Sequence, residues 1–135
     1  MYDKVFKRVA IAVVFTIFYF VFFNTDTEWE RVGVDTFEKE ISDNSDALLI
    51  DVRTTAEWEQ TGHLEHAVLI PHHDLEERLD ELPDDKKDLI LLYSQSGNRS
   101  KEAARTLLDL GYTNIVELAP GLDGWKDADK PVLYG

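Results

Sequence analysis

The sequence predicts a small doubly wound α/β domain, a parallel sheet with helices on both faces, preceded by an N-terminal transmembrane helix. Three observations predict it. Short, continuous apolar runs recur along the chain, the pattern of strands covered on both faces. They alternate with segments of helical spacing over short connections, which favours parallel pairing. The chain also opens with an apolar run free of charge from Val9 to Phe23.

Taken in order, residues 1–23 read as the membrane anchor. Val9 to Phe23 would make a helix of about 22 Å. Counting from Val5, with Lys7 and Arg8 snorkelling to the headgroups, gives about 28 Å, enough to cross a hydrocarbon core of ~30 Å. A cleaved signal peptide wants small residues before the cut, and Phe22-Phe23-Asn24-Thr25 supplies no Ala-x-Ala site. A core helix of the domain would not be apolar all round. Lys4, Lys7 and Arg8 precede the run and acidic residues follow it. The positive-inside rule then places the rest of the chain outside the cytoplasm, periplasmic if the source is bacterial. Residues 24–33 read as an acidic tether, with Trp29 and Val32 able to dock on the domain that occupies residues 34–135.

Within that domain Asp35 to Ile41 has helical spacing, with Asp35 as a plausible N-cap. Ala47 to Val52 reads as a buried strand. Thr55 to Gln60 reads as a helix, capped by Thr54 and ended by Gly62. Ala67 to Ile70 is the next strand, stopped by Pro71. Asp74 to Leu82 sets Leu75, Leu79 and Leu82 on one helical face before Pro83. Leu89 to Tyr93 is a third strand, Ser100 to Leu110 a strong helix with Gly111 at its C′ position, and Asn114 to Leu118 a fourth strand.

Composition narrows the function. The chain of 135 residues carries 14 Lys+Arg against 27 Asp+Glu, a net charge of −13. That balance argues against a nucleic-acid partner, because binding phosphates needs cations. A hydrophobic content of 44% argues against disorder. There is no cysteine, so disulfides, thiolate metal sites and a cysteine nucleophile are all ruled out.

Such sheets bind ligands where a strand's carboxyl end feeds a helix N-terminus. Here that link is Ser94-Gln95-Ser96-Gly97-Asn98-Arg99-Ser100. Gly97 permits a positive φ, Ser and Asn tolerate tight turns, and successive amides, the helix dipole and Arg99 suit an anion. An ordinary Ser/Asn/Gly turn ahead of a helix has the same local composition.

From about Val34 to Tyr134 the chain resembles a single rhodanese (thiosulfate sulfurtransferase-like) domain. Three motifs carry the resemblance. The first is Asp51-Val52-Arg53-Thr54 with Glu57-Trp58, then Gly62-His63-Leu64 and Ala67-Val68-Leu69-Ile70-Pro71. The second is Tyr93-Ser94-Gln95-Ser96-Gly97-Asn98-Arg99-Ser100. The third is Pro120-Gly121-Leu122-Asp123-Gly124-Trp125 with Lys130-Pro131-Val132. The resemblance implies transfer of sulfane sulfur from thiosulfate or a similar anion to a thiophilic acceptor, with a protein as possible donor or acceptor. It implies that Arg99 and the amides of residues 95–100 hold the anion, that Asp51 and Arg53 form a structural pair bordering the site, and that His63 packs and hydrogen-bonds. No cofactor or metal is implied. Phosphatases with a similar loop place one residue more between nucleophile and Arg, so Gln95 to Asn98 favour sulfur over phosphoester.

One position departs from the family. Where active members carry the cysteine that becomes a persulfide, this chain has Ser94. A serine hydroxyl needs an adjacent base to attack, and none stands within the loop. Ser94 is nearly isosteric with cysteine, so the loop is expected to keep its shape and its anion while losing turnover. Two origins account for it: a replaced cysteine that traps an inactive sulfurtransferase, or a natural pseudoenzyme that binds an anion or a partner.

Overall fold

The computed structural model describes residues 28–135. The expected anchor and the first residues of the tether lie outside them. Among the described residues no helix is long and apolar enough to cross a membrane.

The elements run β1 (Glu30–Val32), α1 (Val34–Asp43), β2 (Leu48–Asp51), α2 (Thr55–Thr61), β3 (Val68–Leu69), two 3-10 turns (His72–Glu77 and Leu79–Glu81), β4 (Ile90–Tyr93), α3 (Asn98–Asp109), β5 (Ile115–Leu118) and α4 (Gly121–Asp127). The strands form one five-stranded sheet in the order β1-β5-β4-β2-β3, and every pairing is parallel. Alternation along the central strands divides the core in two. Ile50, Ile90 and Leu92 face α3 and the 3-10 turns, through Leu75, Ala103, Ala104 and Leu107. Leu49, Leu91 and Tyr93 face α1 and α4, through Phe37, Leu122 and Trp125. Both faces are therefore covered, as the apolar runs require, and each fully buried Leu or Ile contributes about 1.5–3 kcal/mol over an exposed one.

Four differences from the sequence reading have physical causes. Residues 30–32, read as part of the tether, form the edge strand β1, with Arg31 opposite Glu117 in register. An edge strand has only one neighbour and needs no apolar run. Helix α1 begins at Val34 with Gly33 as its N-cap, and Asp35 lies in the first turn without capping. The segment read as a helix from Asp74 to Leu82 is two 3-10 turns. Arg78, at φ −120° and ψ 40°, breaks it between them, and Leu79 points outward at 48% exposure while Leu75 is buried. Helix α4 was not read from the sequence at all.

The direction in which strands are added reverses between β2 and β4: β3 follows β2 outward on one side, and β5 follows β4 on the other. The crevice at their carboxyl ends lies beside Asp51 and Tyr93, which are paired in register. That is where α/β sheets take ligands.

Candidate active site

The loop leaving β4 wraps around the side chain of its first residue. Ser94 is fully buried. Its Oγ accepts the amide N–H of Gly97 at 3.1 Å and that of Ser100 at 3.2 Å. Two donors thus converge on one atom, an arrangement that suits partial or full negative charge there. The carbonyls of the same loop face away and are held by the start of α4, where Leu122 N donates to Ser94 O and Asp123 N to Gln95 O.

Two glycines make this possible. Gly97 has φ 90°, and a Cβ there would lie 2.0 Å from the Ala119 carbonyl oxygen. Gly121 has φ 62°, and a Cβ would lie 2.5 Å from the Gln95 carbonyl oxygen. Both the left-handed conformation and the close approach exclude larger residues.

Below the loop, Asp51 and Arg53 form a fully buried ion pair, with Nη2 to Oδ2 at 2.7 Å. Every guanidinium nitrogen of Arg53 has an acceptor. Nε and Nη2 donate to Asp51, Nη2 also to Gly62 O, and Nη1 to Thr61 Oγ1 and Gln95 Oε1. A planar fork of five donors is matched in full. The pair ties β2, the end of α2 and the loop into one unit. Gln95 completes it by donating its amide to Asp123.

Arg99 lies bidentate against Glu57, at 2.7 Å through each nitrogen. Glu57 is placed by the capping box of α2, in which Thr54 and Glu57 satisfy each other's backbone amides. Beyond the loop, Ser94 Oγ donates to Ser100 Oγ at 3.1 Å, and Ser100 Oγ donates to Glu117 Oε1 at 2.7 Å. Glu117 is itself fully buried. It accepts from the Trp29 indole at 2.9 Å and from Arg31 Nε at 3.0 Å.

A family model, the rhodanese-like domain, matches residues 34–128. The chain is similar to a sulfurtransferase of Allochromatium vinosum, 31% identical over 76% of this chain and 94% of that protein. It is also similar to the thiosulfate sulfurtransferase PspE of Escherichia coli, 36% identical over 64% of this chain and 78% of that one. Among solved structures, the reduced CoADR-RHD of Bacillus anthracis superposes with a TM-score of 0.69 at 26% identity, covering 80% of this chain and 19% of that chain.

The chain belongs to the rhodanese-like family.

The rhodanese-like loop brings together most of the residues the sequence singled out. Ser94, Gly97 and Ser100 meet at the cradle, and Gln95 joins it to Arg53. Ser96 and Asn98 are exposed on the rim. His63 stacks on Trp58 with ring centroids 3.5 Å apart, its Nδ1 lying 3.0 Å from Leu64 O, away from the cradle. Arg99, expected to help hold the anion, is paired through its guanidinium with Glu57. Glu117, Trp29 and Arg31 were missed as site residues. The available signal was a lone acid, Glu117, inside an apolar strand run covered on both faces.

The Glu57–Arg99 pair makes acid stability a readout of this site. Hydrogen bonds from Arg99 hold the Glu57 carboxyl at about 2, well below its ordinary 4.5. Between those values the folded state binds fewer protons than the unfolded one, so stability rises with pH there. The pair's contribution is present above the ordinary carboxylate range and is lost as the pH falls toward about 2. Denaturation midpoints measured between about pH 5 and pH 2 should therefore fall more steeply for this chain than for Glu57→Gln. Parallel profiles would contradict the assignment.

Proposed function

We propose that this chain is a membrane-tethered rhodanese-type sulfurtransferase domain, silent in sulfur transfer as it stands because residue 94 is serine. Thiosulfate or another sulfane-sulfur anion is its ligand, and a protein can serve as sulfur donor or acceptor. The single observation that carries this reading is the convergence of the Gly97 and Ser100 amides on the side-chain atom of residue 94. That is the position where a sulfur would carry charge in the reaction, and donors preorganised at a developing charge are the larger part of such catalysis.

The anchor through residues 5–23 and a domain facing outside the cytoplasm belong to the same proposal, supported by the charge asymmetry around the apolar run. A second reading, a pseudoenzyme that only binds an anion or a partner at the membrane, is favoured by one observation. The hydroxyl of Ser94 is fully integrated in hydrogen bonds, as donor and as acceptor.

The sulfurtransferase reading requires an anion at the loop. Titration of thiosulfate into the chain, followed by amide NMR shifts, should move Gly97, Asn98, Arg99 and Ser100 together. Shifts spread over the surface, or none at the loop, would overturn the proposal. The full chain should also remain with membranes after alkaline extraction, and release at that step would overturn the anchor.

A further inference from the structure

We propose that Glu117 is a positioning residue that fixes the direction of the hydrogen bonds behind the loop, so that Ser100 presents a lone pair to residue 94 and partly offsets the two amide donors there. The inference rests on the sulfurtransferase reading of the loop and goes beyond it by naming what governs the charge of its central atom.

The direction of the hydrogen bonds decides it. Glu117 accepts from Trp29 Nε1 and Arg31 Nε on Oε2, and from Arg31 Nη2 and Ser100 Oγ on Oε1. Indole and guanidinium nitrogens only donate, so both carboxylate oxygens act as acceptors. Ser100 must then spend its single proton on Glu117, at 2.7 Å. What it presents to residue 94, 3.1 Å away, is a lone pair. Ser94 answers with its own proton. A thiolate at position 94 would meet the two amide donors and also this lone pair, backed by a carboxylate two hydrogen bonds away.

Four hydrogen bonds converge on the Glu117 carboxylate. Already loaded with donors, it holds the proton chain in place. Of the cations around the loop, Arg53 and Arg99 are already paired, while Lys101 and Arg105 of α3 make no ion pair among the described residues and Arg105 lies over the Trp29 ring, 5.9 Å from its centroid. Asp51 is paired with Arg53, Glu57 with Arg99, and Asp123 accepts from the Gln95 amide, while His72 stands 3.5 Å from Glu102. Arg31, which also reaches Gly97 O, is committed to Glu117.

A glutamine at position 117 reverses the polarity. Its carbonyl oxygen would keep Trp29 Nε1 and Arg31 Nε, while its amide nitrogen would give up the Arg31 Nη2 contact and donate to Ser100. The Ser100 hydroxyl is then free to donate to residue 94.

The chain has no cysteine, so Ser94→Cys introduces a single thiol that can be titrated without background. The experiment follows the alkylation rate of that thiol by iodoacetamide against pH in the full chain, with and without Glu117→Gln. In Ser94→Cys alone the midpoint is expected at or above about 8.5, the value of a free cysteine. Adding Glu117→Gln should lower it by about one pH unit, tenfold more thiolate at neutral pH.

Ser100→Ala in the Ser94→Cys background is the second arm, and its sign discriminates. If Glu117 turns the Ser100 lone pair toward residue 94, removing that oxygen lowers the midpoint. If Ser100 donates to the thiolate instead, removing it raises the midpoint. A midpoint below about 7 in Ser94→Cys alone, no change with Glu117→Gln, or an unchanged or raised value with Ser100→Ala overturns the proposal. No sulfur donor enters this measurement, so its failure is separable from failure of the sulfurtransferase reading.

Discussion

Ser94→Cys is expected to turn over thiosulfate and cyanide, and the Ser94 chain is expected to show no measurable transfer. The gain should be at least about 10³-fold over the Ser94 chain, a conservative bound given that removing a covalent nucleophile can cost on the order of 10⁶-fold. The chemistry is specific to sulfur. A thiolate attacks the sulfane sulfur, the S–S bond of thiosulfate breaks, and sulfite leaves with the electron pair. Cyanide then takes the outer sulfur as thiocyanate and restores the thiolate. The Ser94 hydroxyl can do neither step, since its proton is held by Ser100 and its oxygen carries no stable persulfide equivalent. Even with the thiolate disfavoured, the small ionised fraction of a cysteine near neutral pH is a strong nucleophile. Steady-state thiocyanate formation measures the outcome, and equal rates for the two chains would contradict it.

Arg53→Met is expected to destabilise the domain by about 3–5 kcal/mol, the usual cost of breaking a buried ion pair from one side. Asp51 would be left fully buried with an uncompensated charge. Thr61, Gly62 and Gln95 would also lose the donors that tie α2 and the loop to β2. A small domain has only ~5–15 kcal/mol in total, so the loss should show as a large fall in urea midpoint at constant slope. Replacing both partners together, Asp51→Leu with Arg53→Met, should cost less than Arg53→Met alone, because no charge is stranded. A single variant within about 1 kcal/mol of the parent would contradict this account of the pair.

The fold was legible where burial on both faces forces continuous apolar sequence. That condition holds for β2, β4 and, apart from Glu117, β5, while α3 was legible from helical spacing, with Ala103, Ala104 and Leu107 buried on one face. It fails for β1, whose Glu30 and Arg31 stand at the sheet edge. It also fails for α4, which opens on Gly121 and contains Gly124, both poor helix formers. Tertiary packing of Leu122 and Trp125 makes that helix, and no local propensity announces it. The stretch from Asp74 to Leu82 misled in the opposite direction, because leucines at helical spacing say nothing about a break at Arg78.

In the site, the motif spacing located Ser94, Gly97, Ser100, Asp51 and Arg53. What spacing could not supply was pairing between distant segments. Glu57 reaches Arg99 across 42 positions, and Trp29 reaches Glu117 across 88. These contacts decide which charges at the loop are free, and they exist only once the sheet is assembled.

On the sulfurtransferase reading the loop places and stabilises a sulfur at position 94. Intact-mass spectrometry tests it most directly, on the full chain and on its Ser94→Cys variant after incubation with thiosulfate and desalting. The predicted result is a gain of one sulfur atom on the Ser94→Cys variant, reversed by cyanide, and no gain on the Ser94 chain. A folded Ser94→Cys variant that acquires no sulfur, even at a pH where its thiol is fully ionised, would contradict the claim.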